Sequence, residues 1–300
     1  MQLVASLGGA LVGCAGLASL FVGSLYLVPA RLRHLAHGDP RQIKARFAAT
    51  AGTCVGATAG LLGWALASRQ DGPGGLAAPS FLGLLGLRLE GLVPAVILPL
   101  GLMAVLFAGP LLDLHLKYRR KPPHAHTGDF LFDFFPNCPE PRLQRLRNVV
   151  IAPLAEEFVF RSCMGALLTA GGLSLGKIVL FSPLFFGTAH LHHCYGMVRE
   201  GTPLRQALIV SAVQFTYTSM FGALEMFIFL RTGHLAAVFV AHAWCNLLGL
   251  PSLEWLSTQS LTYPHRHSIG VAFLAGVAGF ALALMPLTSP SLYGGSIFWR

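Results

Sequence analysis

The sequence predicts an all-α, polytopic transmembrane bundle of about eight spans, and three observations predict it. First, apolar residues make up 54% of the 300 positions and charged residues only 11%, with a mean hydropathy of +0.63. A soluble domain carries about 25% charge, so this chain lacks the polar residues to cover a water-facing surface. Second, apolar runs of bilayer length recur at about 2–28, 47–67, 92–114, 149–170, 178–198, 206–230, 234–250 and 269–288. A helix rising ~1.5 Å per residue needs roughly 20 residues to cross a ~30 Å hydrocarbon core. Third, the basic residues fall in alternate connections, as orientation in a bilayer requires.

Taken in order, the first run has no basic n-region and is too long for a signal-peptide core, so it reads as a span. The connection after it, 29–46, holds Arg31, Arg33, Arg41, Lys44 and Arg46. The connection 115–148 holds Lys117, Arg119, Arg120, Lys121, Arg142, Arg145 and Arg147, whereas 68–91 holds only Arg69 and Arg88. Positive-inside bias places the two basic connections in the cytosol, together with Arg199, Arg205 and Arg266, and leaves Lys177 and Arg231 as exceptions. The net charge of +9 therefore reads as attraction to anionic headgroups of the lipid bilayer, and nucleic acid is not an expected partner. The aromatic stretch Phe130–Phe135 belongs in the interface or under the bundle. The sixth run carries Gln214 and Glu225, and the seventh is short. The six cysteines form no CxxC pair, and five of them fall within spans, as small buried apolar residues do. No soluble domain, repeat or low-complexity tract interrupts the chain, which reads as one integral membrane domain over 1–300.

Of the twelve acids, Glu156, Glu157 and Glu225 lie inside spans. A charge at mid-membrane costs about 2.5–3.5 kcal/mol on insertion scales and persists when it is paired, wet or functional. In RNVVIAPLAEEFVFRS, Glu157 and Arg161 are four residues apart on one helix face and neutralise each other. Glu156 is turned about 100° away from that face and has no such partner. Two adjacent carboxylates in different settings take different roles, and the unpaired one suits a general base. The bland alternative is that both acids tie helices together.

The fifth run supplies His190, with Phe186 one turn earlier, and the seventh supplies His242 and Asn246, four apart on one face. A lone buried histidine is as often a packing residue. A His/Asn pair can instead donate two hydrogen bonds to one developing oxyanion. The acid pair and the two intramembrane histidines together are a stronger functional signal than any one of them. No HExxH zinc motif and no aspartate pair within spans is present, and Gly172-Leu173-Ser174 lacks the setting of a serine nucleophile.

Three motifs in order now match a known family. Glu156-Glu157-Phe-Val-Phe-Arg161 is EExxxR, Phe186-Gly-Thr-Ala-His190 is FxxxH, and His242-Ala-Trp-Cys-Asn246 is HxxxN. Over about 142–250 the chain resembles the Ras-converting type of CAAX prenyl endopeptidase, within the abortive-infection/CPBP membrane protease family. The resemblance implies an eight-helix bundle in the endoplasmic reticulum membrane, opening toward the cytosol. It implies that 142–250 is the catalytic core, which removes the aaX tripeptide from prenylated CaaX proteins such as Ras-like small GTPases. By resemblance, Glu156 and His190 activate water, His242 and Asn246 stabilise the oxyanion, and Glu157 and Arg161 organise the site, with no metal or other cofactor.

Three alternatives stay open at this stage: a relative cutting unprenylated substrates, a transporter or scaffold built around a polar cluster, and a metal site formed by Glu156, His190 and His242. Glu225 is expected to play a structural part, paired with a histidine or Arg231 or lining the cavity.

Overall fold

The computed structural model describes residues 6–36, 38–67, 81–127, 129–135 and 142–299. Arg69, Asp71, Cys138 and Glu140 lie outside these. The described residues form helices joined by turns and short 3-10 segments, in accord with the all-α membrane class.

The principal helices are α1 (Leu7–Leu27), α2 (Pro40–Ala67), α3 (Leu92–Leu106), α4 (Ala108–Arg120), α5 (142–170), α6 (Leu175–Ala189), α7 (His192–Arg199), α8 (Leu204–Thr232), α9 (Leu235–Leu248) and α10 (Arg266–Leu287). Among the described residues, four unbroken helices are long and apolar enough to cross a membrane: Leu7–Leu27, Pro40–Leu66, Leu204–Thr232 and Tyr263–Leu287. A fifth crossing is reached if the bent pair α3–α4 counts as one. The expected count of about eight is thus not confirmed, and the remaining runs depart from straight spans for local reasons.

The run 92–114 bends by 76° at Phe107. Pro110 lacks an N–H and its ring would meet the carbonyl four residues earlier, so it fits the first turn of α4 but not a continuation of α3. The run 178–198 breaks at His190–Leu191, between α6 and α7. The run 234–250 yields a helix of only 14 residues. The fourth run remains one helical rod, since the residues at its internal junctions keep right-handed helical torsions. It is widened by two π-helical stretches, Leu146–Ile151 and Phe158–Cys163. Pro153 withholds a donor from the first stretch, where looser i→i+5 bonding takes over.

The rod α5 is the hub of the bundle. Every residue from Val159 to Leu168 is buried, so it is covered on all sides, as a central helix must be. It packs against α1, α2, α6, α8 and α9, while α10 lies against α3 and α4 on the far side of α9. The peripheral helices keep their apolar faces outward: Val12, Leu27, Leu274 and Leu282 are 73%, 82%, 75% and 80% exposed. An outward apolar surface suits lipid and would be costly in water. The Phe130–Phe135 stretch packs under the bundle, with Phe135 against Trp244 of α9. Lys117 of α4 bridges Asp113 and Glu254 at 3.0 and 2.8 Å, anchoring the 249–265 connection.

The small residues at the α3–α4 bend carry a stability consequence. An added Cβ on Gly276 of α10 would come within 2.6 Å of the Val105 carbonyl and 3.2 Å of Ala108 Cβ. Gly276→Leu is expected to wedge these helices apart and cost about 1–3 kcal/mol, read as a lowered midpoint of thermal unfolding in detergent. An unchanged midpoint would mean the close contact is absent.

Candidate active site

The two π-helical stretches flank Glu156 and Glu157 on either side, and such widened turns recur at functional sites. Glu157 is fully buried. Arg161 Nε lies 3.1 Å from its Oε2, so the i, i+4 pairing read from sequence is present. A second partner comes from α9: His242 Nδ1 lies 2.6 Å from Glu157 Oε1. The remaining ring nitrogen of His242, Nε2, stands 3.8 Å from Glu156 Oε2. Glu156 was expected to have no partner on its own helix; the histidine reaches it from α9.

Glu156 itself is only partly buried, with 20% of its side chain exposed. It lines a cavity of about 220 Å³ together with His190. The apolar walls of this cavity include Phe21 and Leu25 of α1, Phe47 of α2, and Phe160 and Phe186. His190 is the residue at which α6 ends, so it sits at a helix break and not within a straight span. Its Nδ1 is 2.8 Å from the Phe186 carbonyl. That bond needs an N–H at Nδ1, which leaves Nε2 as an acceptor in the neutral ring. Asn246 does not line the cavity; its Nδ2 donates to the Asn148 carbonyl at 2.9 Å, and Asn148 does line it.

Phe186 ties the parts together. Its ring packs edge-on against His190 and Phe160 and faces His242 at 6.4 Å between centroids, and the Arg161 guanidinium lies over it at 4.3 Å. Such a cation–π contact covers part of the charge that has left water. The structure therefore gathers Glu156, Glu157, Arg161, His190 and His242, with Asn246 joined through Asn148. Asn148, Arg46, Arg147 and the adjacent His192 and His193 also stand on the cavity wall, and the sequence does not single them out as site residues. In the sequence Arg46 and Arg147 read only as headgroup charges, since their position in basic connections explains them fully.

Glu225 on α8 is buried, and its carboxylate oxygens make no hydrogen bond. The expected partner Arg231 is engaged elsewhere, donating to the Met285 carbonyl and the Thr288 hydroxyl. Among the described residues, no group of three or more His, Cys, Asp or Glu is arranged to hold a metal ion.

Fold and cluster together define a class: a multi-pass helical membrane protein with a carboxylate and an imidazole on the wall of one cavity, the residue types of acid–base chemistry. Comparison with known proteins narrows the class. A family model described as type II CAAX prenyl endopeptidase Rce1-like matches residues 139–248. The chain is similar to CAAX prenyl protease 2 of Homo sapiens, 37% identical over 290 residues, covering 94% of this chain and 82% of that protein. It is similar to the proteins of that name from Rattus norvegicus, 36% identical over 284 residues with 94% and 80% covered, and Arabidopsis thaliana, 35% identical over 230 residues with 73% and 71% covered. No solved structure matches the chain. The chain belongs to the type II CAAX prenyl endopeptidase family, a family of membrane proteases.

The buried ion pair makes a specific demand. Arg161→Leu leaves Glu157 a buried, half-partnered charge, and breaking such a pair costs about 3–5 kcal/mol. The expected result is a sharp loss of folded, monodisperse protein after detergent extraction; a variant that extracts and melts like the parent would show that Arg161 carries no structural weight.

Proposed function

We propose that the chain is a membrane-embedded endopeptidase that releases the aaX tripeptide from prenylated CaaX proteins such as Ras-like small GTPases, using water activated by Glu156 and His190. The observation that carries this reading is that Glu156 and His190 share one largely apolar internal cavity. Water held between the Glu156 carboxylate and His190 Nε2 attacks the carbonyl carbon of the bond after the prenylated cysteine. Its proton passes to Glu156, and the carbonyl oxygen becomes an oxyanion. His242 as imidazolium, its Nδ1–H given to Glu157, offers an Nε2–H to that oxyanion. The Nδ2 of Asn246 has a second hydrogen beyond the one given to Asn148. As the C–N bond breaks, Glu156 returns its proton to the leaving amine. Glu157 and Arg161 position His242 and do not touch the substrate.

The prenyl chain gains about 0.8 kcal/mol for each CH₂ it buries. A groove of about 530 Å³ between α1 and α2, lined by Gly13, Gly16, Gly56, Gly60, Leu17 and Trp64, suits it. Entry from the lipid side would let the peptide tail reach the cavity while the rest of the substrate stays in water. The expected setting is the endoplasmic reticulum membrane, with the basic connections and the cavity mouth facing the cytosol.

The deciding experiment incubates membranes containing the wild type or Glu156→Ala with a farnesylated CaaX peptide and its unprenylated counterpart. Tripeptide release by the wild type from the farnesylated peptide alone is expected, with none by Glu156→Ala. Equal activity in that variant refutes the assigned base. Asn246→Ala should lose about 10²–10³-fold in kcat, the usual effect of deleting one oxyanion donor. Activity that survives exhaustive chelation, with metal analysis of the same sample, separates this mechanism from the three-ligand alternative. Gly60 offers a test of the groove, because an added Cβ there meets nothing within 4 Å. Gly60→Phe should fit without distorting the backbone, fill the groove, and raise KM for the farnesylated peptide.

A further inference from the structure

The cavity that holds Glu156 and His190 is not wholly apolar, for Arg46 of α2 and Arg147 of α5 stand on its wall. Arg147 Nε donates to the Asn148 side-chain oxygen at 2.8 Å. Arg46 is half-buried, and no carboxylate among the described residues lies within ion-pair distance of it. A second cavity of about 770 Å³ adjoins the first and shares Leu25, Arg46, His192 and His193 with it. Arg46 therefore stands at the junction of the two. The outer cavity is rimmed by Arg33, His34 and Arg199, with Glu200 the carboxylate on its wall. Arg33 is occupied with the Tyr26 carbonyl at 2.7 Å, and Arg199 lies over the Tyr195 ring. Arg46 is thus a guanidinium on the Glu156 cavity wall with no carboxylate partner among the described residues. A guanidinium drawn partly out of water, beside a second one, is stabilised by an anionic partner.

We infer that Arg46 is the anchor for the free α-carboxylate at the end of the substrate tail, a positioning and specificity residue that sets the length of the tail cut at Glu156. This rests on the endopeptidase reading above and deepens it. A tail of three residues beyond the scissile bond, extended at ~3.3–3.6 Å per residue, places its terminal carboxylate about 10 Å from the reacting carbonyl. That is a span within two adjoining cavities, one bearing Glu156 and both bearing Arg46. A guanidinium presents paired donors that match the two oxygens of a carboxylate. A membrane phosphate would offer Arg46 the same chemistry, so the test must separate the two sources.

The test uses the purified full chain in phosphatidylcholine proteoliposomes, with and without phosphatidylserine. Its substrates are farnesylated CaaX peptides ending in a free acid, ending in an amide, or lengthened by one residue. The wild type should favour the acid over the amide by about 10–100-fold in kcat/KM, chiefly through KM, the scale of one charge-assisted hydrogen-bonded pair. In Arg46→Gln that ratio should fall toward one and the penalty for the lengthened tail should shrink; Arg46→Lys should retain part of the preference. Equal cleavage of acid and amide by the wild type, or an unaltered ratio in Arg46→Gln, overturns the assignment. So does an Arg46→Gln effect that is equal on both peptides and appears only with phosphatidylserine, which assigns Arg46 to lipid. Should Arg46→Gln not fold, the wild-type ratio and Arg46→Lys decide the matter. Failure of the wild type to cut either peptide overturns the endopeptidase reading, a different result from cutting both equally.

Discussion

The site is organised around one fully buried carboxylate. Glu157 is held by Arg161 at 3.1 Å within α5 and by His242 at 2.6 Å from α9, while the Arg161 guanidinium lies on the Phe186 ring of α6. On α8, Gly222 leaves room for the same group, since a Cβ there would stand 3.3 Å from Arg161 Nη2 and 2.9 Å from Pro183 Cβ. Four helices meet around one charge. A buried ion that is only half-satisfied is worse than an apolar core, so this network admits few arrangements of those helices.

That constraint frees the neighbouring acid. With Glu157 committed inward, Glu156 is turned to the cavity wall, where it keeps partial exposure and meets His242 Nε2 at 3.8 Å. The histidine thus stands between the two carboxylates, bonded to the buried one and within 3.8 Å of the one on the cavity wall. The break at His190 has a comparable effect. At the end of α6 the ring is held against the preceding turn by its bond to the Phe186 carbonyl, and it also lines the cavity. The π-helical widening on both sides of the acid pair belongs to the same pattern, in which regular helix geometry is relaxed around the polar cluster.

Much of the candidate site is legible in the sequence. Glu157 and Arg161 are neighbours through helix periodicity alone, and the scarcity of acids in apolar runs marked Glu156 as the unusual one. Less of the fold was readable. Hydropathy located the runs, but it does not register the bend ahead of Pro110, the break at His190, or the short α9. Those depend on where a missing donor or a neighbouring helix interrupts the ladder. Asn148 carries no signal in the sequence and Arg46 reads there as a headgroup charge, because each sits among polar residues at the edge of a run, where an amide or a charge is ordinary.

Sequence by itself determined the membrane class, the order of the apolar runs, the i, i+4 ion pair, and the family to which the three motifs belong. These are local properties, carried by composition and by spacing along one helix. Tertiary structure alone decided that His242 belongs to Glu157 through one nitrogen and faces Glu156 with the other. It also decided that Asn246 reaches the cavity through Asn148, and that Arg46 shares a wall with the acid. The physical reason is that these relations join helices distant in the chain, the two hydrogen bonds by 85 and 98 residues, and only packing around the buried charge brings them together.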